Sequence, residues 1–184
     1  MSETHRNRYQ FKACVIGDPA VGKTSLISKF TQSSFKEEYI RTIGAQFTTF
    51  EREIDGDLIK LLIWDIAGQR DFDFLRPSFF NNSKAAVIVF SLEENEHGRN
   101  SLNNILNWHR DVQKFCGNIP VILFGNKIDL IDESGLDMTS FEEIVDQNSF
   151  IDFFITSART GQGVEKAFTK LIKILHDKYK VLVK

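Results

Sequence analysis

Apolar positions along this chain fall into six short runs that alternate with amphipathic stretches. The runs at 11–16, 45–54, 58–65, 85–91, 120–125 and 151–156 predict strands. The stretches near 22–32, 70–80, 98–115, 139–147 and 163–180 predict helices. In the third of these, Leu102, Ile105, Leu106 and Val112 share one face. In the last, Val164, Phe168, Leu171, Ile172 and Leu175 form a stripe at helical spacing. Alternating strands and helices predict an α/β domain of three layers, α/β/α, around a mostly parallel six-stranded sheet. Asp55-Gly56 is a hairpin signal between the second and third strands, so one edge strand is expected to run antiparallel. Thr139 followed by Glu142 predicts a capping box.

Composition narrows the class without naming a function. A chain of 184 residues suits one domain, 1–184, with a short polar tail at 1–8. Hydrophobic content of 42%, charged content of 26% and a net charge of −2 fit an ordinary globular protein and point to no nucleic-acid partner. No apolar run is long enough to span a bilayer, and the polar start MSETHRNRYQ carries no secretory signal. Cytoplasmic residence is the expectation. From Arg159 onward seven basic side chains face two acidic ones, Glu165 and Asp177. That excess reads as a solvated helix face or, alternatively, as weak attraction to an acidic membrane surface. Cys14 and Cys116 are far apart in sequence, fit no metal or redox spacing, and read as small buried thiols. The four histidines show no ligand spacing.

Sheets of this kind bind ligands at the carboxyl ends of their strands, and chemically suggestive residues follow four of the runs. After the first comes Gly17 to Thr24, GDPAVGKT, a complete G-x-x-x-x-G-K-[ST] loop between a strand and a helix. Its glycines let successive N–H groups turn toward a phosphate, helped by the positive end of the helix that follows. Lys23 is placed to reach β- and γ-phosphates and Thr24 to offer a hydroxyl to Mg²⁺. After the third run, Asp65 supplies the oxygen ligand that Mg²⁺ prefers. Gly68 can bring a backbone N–H near a γ-phosphate, and Gln69 can orient a water. After the fifth come Asn126, Lys127 and Asp129. The Asp129 carboxylate can accept from N1–H and the N2 amino group of guanine, a donor pair that adenine lacks. After the sixth, the N–H of Ala158, within Ser157-Ala158-Arg159, is placed to meet guanine O6.

Taken in order, these motifs resemble the Ras-like small GTPases of the P-loop NTPase fold, and within them the Rab family. The resemblance covers about residues 9–178. Its Rab-like marks are Thr42-Ile43-Gly44 with Phe47, IWDIAGQ at 63–69, Phe79-Phe80 and Trp108. It implies GTP and GDP as ligands, Mg²⁺ as cofactor, and hydrolysis of GTP to GDP and phosphate. Gly17, Ala20, Val21, Gly22, Lys23, Thr24 and Ser25 would cradle the phosphates. Thr42 would bind Mg²⁺ beside Thr24 and Asp65, and would act with Lys23 and Gln69 in hydrolysis. Phe35 would pack on the guanine edge, Tyr39 would close over the phosphates and Lys127 would lie along the base. Phe47, Trp64 and Phe79 resemble an effector-docking triad, with plain core packing as the alternative for each. Exchange factors, GTPase-activating proteins and effectors are the implied partners of a monomer.

The chain also departs from the family pattern. Pro19 and Ala20 stand where small residues or glycine are usual, and Pro19 removes an N–H and crowds the space of an arginine finger. Ile66, Arg70, Gln46 and Arg159 replace the usual Thr, Glu, Asp and Lys. No cysteine lies near Lys184 to carry a prenyl anchor. Three functions remain open at this point: a GTP-hydrolysing switch, a GTPase fold that binds nucleotide but scarcely hydrolyses it, and an ATP-dependent kinase sharing the loop. The last would need a substrate lid, which no segment supplies.

Overall fold

The computed structural model describes residues 7–31, 37–38, 45–66, 68 and 76–181. Its strands are β1 (Arg8–Ile16), β2 (Glu37–Glu38), β3 (Ala45–Ile54), β4 (Asp57–Ile66), β5 (Ala85–Ser91), β6 (Val121–Asn126) and β7 (Asp152–Ile155). Its helices are α1 (Lys23–Thr31), α2 (Arg76–Phe80), α3 (Glu96–Asn103), α4 (Ile105–Cys116), α5 (Met138–Asn148) and α6 (Val164–Lys180), with short 3₁₀ turns at Ile128–Leu130 and Glu133–Gly135. The six expected strands are present, and β2 adds a two-residue seventh. β1 begins at Arg8 rather than 11, because Arg8 already pairs with Leu58 of β4.

The sheet order is β2-β3-β4-β1-β5-β6-β7. β1 lies parallel to β4 on one side and β5 on the other, so the chain changes direction across the sheet at the end of β1 and opens a crevice there. β3 is antiparallel to β4. The hairpin between them turns on Asp55 (φ 51°) and Gly56 (φ 82°), the two positive values that a tight primed turn requires.

Strand alternation builds two cores. Ala13 and Val15 of β1, Ala85, Val87 and Val89 of β5, and Ile122 and Phe124 of β6 face α1 and α6. Their neighbours Cys14, Ile16, Ala86, Ile88, Phe90 and Leu123 face α2, α4 and α5. The α6 stripe forms as expected, with Val164, Phe168, Leu171, Ile172 and Leu175 all buried.

Two helix expectations need correction. The helix expected at 98–115 is interrupted at Asn104 (φ −83°, ψ −6°), whose amide is drawn out to a loop carboxylate described below. Leu106 of the expected apolar face is exposed, while Ile105 and Val112 stay buried. The cap of α5 is Asp137, which accepts from the N–H groups of Thr139 and Ser140. Thr139 therefore sits inside the first turn, and a carboxylate two residues earlier takes the capping role. Of the helix expected at 70–80, Arg76–Phe80 is described and helical, and 70–75 lies outside the described residues.

Candidate functional site

The crevice at the end of β1 is closed by the loop from Gly17 to Gly22. Gly17 (φ 142°) lies so close to β5 that a Cβ there would fall 2.1 Å from the Val89 carbonyl oxygen. Gly22 (φ 99°) would place a Cβ 2.3 Å from Asn126 Nδ2. Both positions thus demand glycine on conformation and on space. α1 starts at once, with Leu26 N–H donating to Gly22 O at 2.9 Å, and leaves the N–H groups of its first turn directed at the loop. Lys23 is buried and curls back over the loop, donating to Gly17 O at 3.0 Å and Asp18 O at 2.8 Å. Burial lowers its ammonium pKa, while Asp65 and Asp18 pull it back up.

The Thr24 hydroxyl donates to Asp65 Oδ2 across the crevice. Burial raises the Asp65 carboxyl above its ordinary value, opposed by that hydroxyl and by Lys23. A desolvated carboxylate with a single hydroxyl partner carries charge that a cation would neutralise. Among the described residues no group of three or more His, Cys, Asp or Glu could hold a metal by itself. One carboxylate and one hydroxyl beside a phosphate loop fit Mg²⁺, which keeps several waters and shares phosphate oxygens. Thr42, the remaining expected ligand, lies outside the described residues, as do Phe35, Tyr39 and Gln69. Gly68 is described. A Cβ there would lie 2.4 Å from Gly17 O and 2.7 Å from Pro19 N, so only glycine lets the start of this segment rest on the loop.

A neighbouring cleft of about 450 Å³ is lined by Gly22, Ser25, Asn126, Lys127, Asp129, Leu130, Ala158 and Arg159. Asn126 ties its walls together. Its Nδ2 donates to Val21 O at 2.8 Å, and its Oδ1 accepts from Ala158 N–H at 3.1 Å. Lys127 adopts φ 71° and donates to Glu93 at 2.5 Å. Asp129 accepts from Ser157 Oγ at 2.6 Å, and the Arg159 guanidinium lies 3.9 Å away. One Asp129 oxygen is therefore positioned by the β7–α6 loop while the carboxylate borders the cleft. Ala20, Lys23, Thr24, Ser25 and Lys127 line a second pocket of about 310 Å³ over the phosphate loop. The two pockets share Gly22, Ser25 and Lys127, as one ligand with a planar head and an anionic tail requires. A larger groove of about 660 Å³ between the ends of α4 and α5 has no such chemistry.

Sequence reasoning missed part of this site. Asp18, a variable position of the loop motif, accepts from Trp108 Nε1 at 2.8 Å and from Asn104 Nδ2 at 2.8 Å. The break between α3 and α4 thus brings two donors onto the phosphate loop. Trp108 was visible as a family mark; its partner was not, because contact across the sheet leaves no spacing signal. Glu93 was invisible for the same reason. Phe47 stacks on Trp64 at 5.5 Å and Trp64 lies 6.1 Å from Phe79. Phe79 is buried while Phe47 and Trp64 are half-buried, so the aromatics are contiguous and only two present surface.

The Ras family model matches residues 12–177. The chain is similar to the Ras-related protein Rab-1 of Theileria annulata, 35% identical over 172 residues that cover 92% of this chain and 76% of that protein. It is also similar to the Ras-related protein Rab-1 of Theileria parva, at 34% identity with the same coverage.

Proposed function

We propose, on the premise that the chain belongs to the Ras family of small GTPases and is Rab-like within it, that it is a molecular switch cycling between GDP and GTP states. The observation that carries this reading is the common rim shared by the Lys23–Thr24–Asp65 cluster and the Asp129 cleft. Lys23 holds the β- and γ-phosphates, Asp129 selects guanine, and Gln69 aligns the water that attacks the γ-phosphate. Mg²⁺, when bound through Thr24, Asp65 and Thr42, supplies positive charge against the phosphate oxygens. Thr42 and Gly68 lose contact with the departing phosphate, so segments near 35–47 and 67–80 relax. Phe47 and Trp64, backed by buried Phe79, then present a different face to effectors, in membrane trafficking or signalling. Intrinsic hydrolysis is slow. Among the described residues no arginine lines the phosphate pocket, and a supplied arginine finger is worth roughly 10³ to 10⁵ in rate.

Exchange factors, GTPase-activating proteins and effectors complete the cycle of a monomeric, cytoplasmic protein with reversible membrane contact. Among the described residues no helix is long and apolar enough to cross a membrane. Chromatography of nucleotide released from the denatured protein tests the reading. GDP or GTP is expected; an adenine nucleotide, or no uptake of guanine nucleotide by calorimetry, overturns it. Gln69→Leu should slow single-turnover hydrolysis by roughly tenfold or more, and an unchanged rate removes Gln69 from the chemistry.

A further inference from the structure

The two cysteines, distant in sequence, converge on one turn. That turn runs from Phe80 at the end of α2 to Ala85 at the start of β5. Cys116, the last residue of α4, donates its thiol to Phe80 O at 3.3 Å. Cys14 of β1 donates to Ala85 O at 3.7 Å. Buried Ser83 lies in the same turn, its hydroxyl without a hydrogen-bond partner among the described residues, and the two thiols act on each other's titration. Lys12 closes the cluster: its ammonium donates to Asn81 O at 2.8 Å in the same turn, and its charge acts on both thiols. The expectation of small buried thiols holds for Cys14, which is fully buried, and is corrected for Cys116, which is only half-buried.

We propose that Cys14 and Cys116 form an oxidisable dithiol, with Cys116 as the point of entry for a small peroxide and Cys14 as the thiol that resolves it to an intramolecular disulfide. Access imposes this order, because a solute reaches Cys116 and not Cys14. Electrostatics impose the same order. Interaction with Cys14 lowers the Cys116 thiol below its ordinary pKa, with the charge of Lys12 adding to the effect. Contact with Cys116, and then burial, push Cys14 upward. Thiolate character thus gathers on the accessible sulfur.

The chemistry balances. The Cys116 thiolate attacks one peroxide oxygen, the O–O bond breaks, and the departing hydroxide takes up a proton to become water. The resulting sulfenic acid is attacked by the Cys14 sulfur, whose proton leaves with the sulfenic oxygen as a second water. Two thiols and one peroxide give one disulfide and two waters. Closure removes both S–H donors, so Phe80 O and Ala85 O lose their thiol partners. It also ties the end of α4 to the strand that leads into the phosphate loop.

The test uses the full chain, treated with hydrogen peroxide, denatured, alkylated with iodoacetamide and examined by intact mass and peptide mapping. The expected product has lost two hydrogens, takes up no alkyl group, yields a Cys14–Cys116 linked peptide pair and is restored by dithiothreitol. Cys14→Ala should accumulate Cys116 sulfenic acid that a dione probe traps. Cys116→Ser should leave Cys14 unreacted until denaturation, which keeps the test decisive if the buried Cys14→Ala variant does not fold. Two alkylatable thiols after peroxide, an intermolecular disulfide alone, or oxidation of Cys116 with Cys14 left free would each overturn the proposal. None of these outcomes depends on which nucleotide the protein binds.

Discussion

The two ends of the sheet solve opposite problems with similar residues. At the carboxyl ends of the strands, charged groups are desolvated with few partners: buried Lys23 is satisfied by two loop carbonyls, and half-buried Asp65 by one hydroxyl. At the other end, Asp57 is buried and over-supplied. It accepts from His176 Nε2 at 2.9 Å, from the Asn7 N–H at 3.2 Å and from Asn7 Nδ2 at 3.1 Å, with Lys180 Nζ 3.5 Å away. That cluster joins the start of β1, the start of β4 and the end of α6. The comparison separates two uses of a buried carboxylate. Where the protein provides every partner, the group locks the fold. Where it provides too few, the group awaits a ligand. The pKa directions agree: Asp57 is lowered, chiefly by His176, whereas Asp65 is raised by burial.

If this contrast holds, changes at the rim should alter binding with little loss of stability, and changes at the clasp should do the reverse. The largest effect is expected for Asp129→Asn. Two hydrogen bonds from a purine to a carboxylate are worth about 1.5–3 kcal/mol each, so GTP affinity should fall by roughly a thousandfold. The amide instead offers a donor opposite a 2-oxo group, so xanthine nucleotide should be admitted. Titration calorimetry with both nucleotides checks this, and retained guanine preference would remove Asp129 from the base site.

At the clasp, His176→Ala should cost about 3 kcal/mol by opening a cavity and removing one of the partners of Asp57, a melting temperature lower by roughly 10 °C for a domain of this size. Nucleotide affinity at a temperature where the variant is folded should stay unchanged; a coupled loss would mean that the two ends are not separable. A smaller effect concerns acid. Because the folded-state pKa of Asp57 is depressed, its stabilisation is complete above its unfolded pKa and lost as pH falls through the lower folded value, in the window below about pH 4. Asp57→Asn should therefore be less stable at neutral pH and show a shallower decline on acidification. Denaturant midpoints measured across that window would reveal parallel curves if Asp57 contributes nothing.

Much of the fold was legible because it rests on local periodicity. The buried runs of β5 and β6 and the α6 stripe follow from apolar spacing alone. The phosphate loop was legible because its chemistry is contiguous in sequence, from Gly17 to Thr24. What escaped notice is what the fold assembles across the sheet. Asp18 meets Trp108 and Asn104, Glu93 meets Lys127, and Cys14 meets Cys116. Each pair joins segments whose separation carries no period. The break at Asn104 escaped for a related reason, since its cause is a carboxylate in another element.

Ala20 offers the finest measure of the rim. It holds φ 59° in a loop whose neighbouring turn residues at Gly17 and Gly22 are glycine. A left-handed conformation costs a residue with a Cβ roughly 1–2 kcal/mol, and the glycine that would relieve it loses about 0.4–1 kcal/mol through the greater freedom of the unfolded chain. Ala20→Gly should thus stabilise by roughly 0–1.6 kcal/mol, detectable as a rise in the denaturant midpoint. The strained residue lines the phosphate pocket, so the same substitution should loosen the loop and quicken nucleotide release. Raised stability with faster release would show that the strain is held in the service of the ligand; slower release would place the strain in the fold instead.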